Sequence, residues 1–118
     1  MCIRDSPDGS LGVPTTIASG AALGGADGVA LDVRGRIYVA VIGQSAIVRV
    51  DHKGRIRPVA DADDGLDWVS SLAFDTRPGH RRTMYAVNFA IGTQFGNPPG
   101  HGPALLTVPV GIPGMLLP

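Results

Sequence analysis

A carboxylate and a hydroxyl, Asp27 and Ser70, stand 43 residues apart, each at the start of a run that alternates like a β-strand. Both are hard oxygen donors. A divalent cation such as Ca²⁺ collects six to eight oxygens of this kind, and a well-placed carboxylate can also take a proton from an attacking water. The pair alone falls short of a complete donor set. Asp27 lies in Gly25-Ala-Asp-Gly28, where Gly28 is expected to let the backbone turn tightly, and an Asp-Gly pair also caps its own turn. Ser70-Ser71 likewise suits ordinary loop chemistry. Trp68, two residues before Ser70, can wall such a site or pack between sheets. His52, His80 and His101 follow no zinc-ligand spacing. Arg77, Arg81 and Arg82 form a small basic group that reads as a solvated turn. The chain has no Gly-x-Ser-x-Gly elbow and no phosphate loop.

The elements that must position these residues are short strands. Among 118 residues there are 17 Gly and 10 Pro, and aromatics make up 5%, a composition of many turns. Residues 29–33 alternate, and residues 37–42 are wholly apolar, as in a strand covered on both faces. Residues 46–51 and 56–60 complete a set of four. Asp32-Val-Arg-Gly-Arg36 and Asp51-His-Lys-Gly-Arg55 are the same Asp-x-x-Gly-Arg turn, 19 residues apart. The plan then restarts: Leu31-Asp32 is echoed by Phe74-Asp75, 43 residues later, within the ~40–45 of a propeller blade. Residues 84–88 and 104–108 supply further strands, separated by a Gly/Pro-rich loop over 92–103. The expected fold is all-β: about two four-stranded antiparallel blades of a β-propeller, with an outer strand over about 8–19, a full blade over about 27–60 and a last blade over about 69–110. Asp27 and Ser70 then open the innermost strands of adjacent blades, at one mouth of the central channel.

Two blades do not close a ring, which takes about four to eight. Residues 7–118 are therefore expected to be the C-terminal part of one propeller domain whose N-terminal blades belong to the same chain. Residues 1–6, Met-Cys-Ile-Arg-Asp-Ser, resemble translated sequencing-adapter DNA at the edge of a metagenomic contig. Ten basic and ten acidic residues cancel, so neither nucleic acid nor a membrane surface is an expected partner. The single cysteine, Cys2, forms no internal disulfide, and no apolar run reaches the ~18 residues that span a bilayer.

Gly25-Ala-Asp-Gly-Val-Ala-Leu-Asp32, Ile37-Tyr-Val-Ala40, Ile47-Val-Arg-Val-Asp51 and Val110-Gly-Ile-Pro-Gly114 resemble the gluconolactonase, senescence-marker-protein and luciferin-regenerating-enzyme family. That resemblance implies a six-bladed propeller with a calcium ion at the channel mouth, and a small-molecule lactone or ester as substrate. It implies that Asp27 is both metal ligand and general base, that Ser70 lines the channel, and that the remaining ligands lie in other blades. A second, buried calcium found in some relatives is not expected, because Ala30 and Ala73 stand in its neighbourhood. The parent is expected to be a metal-dependent lactonase or ester hydrolase, and this chain alone to be inactive. The alternative is a non-enzymatic, NHL-like propeller that binds through its loops.

Overall fold

The computed structural model describes residues 12–91 and 102–116. Residues 1–6, the expected Asp8-Gly9 turn, His101 and most of the 92–103 loop lie outside the described residues. Strands β1 (Ala26–Leu31), β2 (Ile37–Val41), β3 (Ala46–Val50) and β4 (Ile56–Ala60) form one antiparallel sheet in sequence order. Strands β5 (Val69–Phe74), β6 (Thr83–Asn88) and β7 (Ala104–Pro109) form a second antiparallel sheet of three. The repeat read from the sequence is thus a repeat of blades, and the second blade ends on an unpaired β7 edge among the described residues.

β2 shows why its sequence is apolar throughout. Tyr38 and Ala40 face the second blade and share a core with Ile47, Leu66, Val69, Leu72, Met84 and Ala86. Val39 and Val41 face the other way and share a core with Val48 and Val50. Alternate side chains of one strand therefore feed two cores.

The second of these cores corrects one expectation. Residues 12–19, the described part of the expected outer strand, form no strand. A strand needs a ladder partner, and this segment pairs with no strand among the described residues. Ala18, together with Leu23, packs on the Val39, Val41, Val48 and Val50 core.

The Asp-x-x-Gly-Arg turns close the hairpins at the end of the blades opposite Asp27. Asp32 is fully buried. Its Oδ1 accepts from the backbone N–H of Arg34 (2.9 Å) and Arg36 (3.1 Å), and its Oδ2 from Arg36 Nε (2.8 Å) and the Tyr38 hydroxyl (3.1 Å). Burial pushes this carboxyl up, but the donors from Arg36 and Arg34 outweigh it and hold it below its ordinary value. Burial and the Asp32 charge push the Tyr38 phenol up. Asp51 repeats the turn in the open, bonding Lys53 N, Arg55 N and Arg55 Nε. In the second blade Asp75 accepts from the Arg77 backbone and guanidinium and from the Tyr85 hydroxyl at 2.7 Å. The Arg77 side chain above all holds Asp75 well below the usual carboxylate range.

Residues 110–115 bind the two blades together at this end. Val110 N–H donates to Arg82 O and Gly114 N–H to Arg81 O in the second blade. Val33 N–H donates to Pro113 O, and Met115 N–H to Leu31 O, in the first. Gly114 lies against the Phe74 side chain, where a Cβ would overlap Phe74 Cβ and Cγ. Phe74 in turn meets Tyr38 edge to face, with ring centroids 5.4 Å apart.

Candidate functional site at the strand-entry face

β1 and β5 lie side by side, and each carries a register shift at its first residues. In β1 the shift falls between Ala26 and Val29, and in β5 between Val69 and Ser71. Asp27 and Ser70 therefore occupy equivalent bulges of adjacent inner strands. Bulges re-aim side chains at the rims of sheets, and these two open both strands at one end of the molecule.

The sequence assigned the tight turn to Gly28. The structure gives the left-handed turn to Gly25 (φ 84°) and gives Gly28 a different task. A Cβ on Gly28 would lie 2.7 Å from Ser70 O and 2.9 Å from Ser71 Cα. Glycine is required there because the two inner strands touch through their backbones. That contact places Asp27 beside Ser70.

Asp27 is exposed, and its side chain forms no hydrogen bond or ion pair among the described residues. It does not cap its own turn, so the carboxylate is available to a ligand. Ser70 is half-buried at the same rim. Trp68 is half-buried and left-handed (φ 52°), and its backbone N–H donates to Ser45 Oγ at 2.9 Å, which ties the β5 entry to the β2–β3 loop.

Behind this rim lies a polar network that the motifs did not single out. Asp67 N–H donates to Asn88 Oδ1 (2.9 Å), and Gly102 N–H donates to Asp67 Oδ2 (3.0 Å). Asn88 Nδ2 donates to Gly65 O (3.0 Å), and Ala90 N–H to Asp67 O (3.0 Å). Both Asp67 and Asn88 are buried. The non-glycine residues at positive φ, Ser45, Trp68 and Ala90, all belong to this hydrogen-bonded group. Such conformations persist only where surrounding contacts over-determine them, so the rim is held rigidly. The available sequence signal was position: Asp67 just before the β5 entry and Asn88 at the end of β6, both polar where a strand meets the same face.

No group of three or more His, Cys, Asp or Glu residues comes together among the described residues. One carboxylate and one hydroxyl fit part of a hard-cation donor set and do not complete one. His52 and His80 lie on the opposite, turn side. His52 Nε2 contacts Arg34 O at 2.7 Å, and His80 N–H bonds Arg77 O within its own turn.

Four- and three-stranded antiparallel sheets stacked face to face, with inner strands in contact, make this chain part of a β-propeller. Among solved structures it is similar to the PQQ-bound form of an aldose sugar dehydrogenase from Streptomyces coelicolor, with TM-score 0.55 and 24% sequence identity. The match covers 65% of this chain and 24% of that one, so the chain spans about a quarter of the propeller it resembles. No protein-family model and no curated protein matches the chain.

Proposed function

We propose that this chain supplies two blades of a propeller hydrolase that opens a lactone or ester at its channel mouth, with Asp27 as the general base. One observation carries the reading: Asp27 is exposed and unengaged on a bulge that packs against Ser70 of the next blade. Asp27 takes a proton from a water as the water oxygen bonds to the carbonyl carbon. The bond from that carbon to the alkoxy oxygen then breaks, and the leaving alkoxide takes the proton held by Asp27, which restores the carboxylate. Ser70 donates a hydrogen bond to the substrate, and the Ser45–Trp68 and Asp67–Asn88 contacts keep the rim from shifting. Calcium, when bound, would polarise the carbonyl, and of its ligands Asp27 is the strongest this chain offers.

The test uses the full-length protein that contains these blades, assayed on a panel of lactones with added Ca²⁺. Asp27→Asn should lower turnover at least about 100-fold, the range for loss of a general base. Parental turnover in that variant overturns the role. A second reading, a propeller that binds without catalysis, draws on the lack of a neighbour orienting the Asp27 carboxylate among the described residues. Saturable lactone binding with no turnover by the parental protein would establish it. Because the fold is shared with a PQQ-bound dehydrogenase, oxidation of an aldose with added PQQ is the control reaction.

A further inference from the structure

We propose that the face opposite Asp27 holds a second binding site, for a small oxyanion carrying a carboxylate or phosphate, in the cleft between the two blades. A cavity of about 360 Å³ lies there. Its charged walls are Arg34 and Arg36 from the β1–β2 turn and Arg82 from the second blade, and its apolar walls include Val33, Val110 and Ile112. No acidic residue lines it among the described residues.

The charges at this cleft are not all paired among the described residues. Arg36 is neutralised by Asp32 at 2.8 Å, and the buried carboxylate is saturated by its other donors. The guanidinium groups of Arg34 and Arg82 make no ion pair or side-chain hydrogen bond among the described residues. Both are exposed, so each alone would be an ordinary solvated arginine. Their convergence is not ordinary. Residues 110–115 hydrogen-bond to Arg82 on one side and to Val33 on the other, which holds two cations from different blades at one cleft.

A cleft lined by one sign of charge beside apolar walls concentrates counter-ions. Guanidinium groups suit carboxylate and phosphate oxygens because their N–H donors match the oxyanion geometry in pairs. The Arg81 Nε is buried nearby without a hydrogen-bond partner, while its NH2 group holds Gly114 O. The site lies at the far end of β1 from Asp27, ~20 Å away at ~3.3 Å per strand residue. It is therefore separate from the proposed hydrolytic rim.

The probe is inorganic phosphate, with acetate as a second arm, titrated into the ¹⁵N-labelled 118-residue chain at constant ionic strength set with chloride. Saturable amide shifts at Arg34, Gly111 and Ile112 are expected. Arg34→Gln/Arg82→Gln should weaken the affinity at least tenfold, while Arg34→Lys/Arg82→Lys, which keeps the charge and loses the fork, should fall between. Circular dichroism verifies folding, and the single Arg34→Gln variant serves if the double one unfolds. Response to phosphate alone assigns a phosphate ligand, and to acetate alone a carboxylate. Linear, non-saturating shifts, or equal affinity in the Gln variant, overturn the proposal. Asp27→Asn should leave this affinity unchanged, so the two sites stand or fall separately.

Discussion

Asp32 and Asp27 are both aspartates at the ends of β1, and their environments set opposite uses. Asp32 is enclosed and fully bonded, whereas Asp27 is open and unengaged. Replacing Asp32 with Asn removes the charge facing Arg36 and turns an amide N–H toward donors. The expected loss is about 2–3 kcal/mol of folding stability, read as a lower urea midpoint. The sign of the pH dependence follows from the lowered folded-state value. Between that value and the unfolded aspartate's ~3.9, the unfolded chain binds more protons, so stability rises with pH through this window. The contribution is complete above about pH 5 and fades as pH falls toward the folded value. Asp32→Asn should therefore flatten the stability profile below about pH 5. The sequence showed Asp32 and Asp51 as paired turn motifs. It did not show that one would be buried and saturated, because Tyr38 reaches Asp32 only through the β1–β2 register. Asp75 hides the same chemistry further, since its arginine comes two residues later and its tyrosine ten.

At the scale of elements, hydrophobic alternation and the 43-residue offset located the seven strands of the described residues to within a few residues, and added an outer strand that residues 12–19 do not form. The offset also placed Asp27 and Ser70 at equivalent positions, which the paired bulges support. What the pattern missed was contact between elements. The role of Gly28 depends on how closely β5 approaches, and no local signal encodes that distance. Gly28→Ala forces a methyl against the Ser70–Ser71 backbone. It should cost about 1–3 kcal/mol, as overpacking does, and displace the Asp27 bulge. Thermal unfolding and the amide shifts of residues 27 and 70 measure the two effects. An unchanged melting temperature would show that the inner strands separate freely.

Across the whole molecule, the two blades are joined by the Tyr38–Met84 core and by residues 110–115. The second connection was visible in sequence only as a run of Val, Gly, Ile and Pro, because its partners lie about 30 and 80 residues away. A chain ending at Pro109 loses four inter-element backbone hydrogen bonds, the Arg81 side-chain bond to Gly114 O and the cover over Phe74. It should unfold at lower denaturant and lose protection from hydrogen exchange first at β1 and β5. Unfolding as cooperative as that of the intact chain, at the same midpoint, would show that the core alone unites the blades.

A strand that is apolar on every side carries little information about its own alignment. If β2 slipped by one residue, Ile37, Val39 and Val41 would trade places with Tyr38 and Ala40, and greasy groups would still fill both cores. Strand slippage is normally penalised because it throws a polar face inward, and here that penalty is missing. The Tyr38 hydroxyl restores it. Moved to the valine-lined side, it would lose Asp32 and be stranded in hydrocarbon. The buried Asp32–Tyr38 bond thus works as an alignment key, allowing one pairing of the hairpin and rejecting its nearest neighbours.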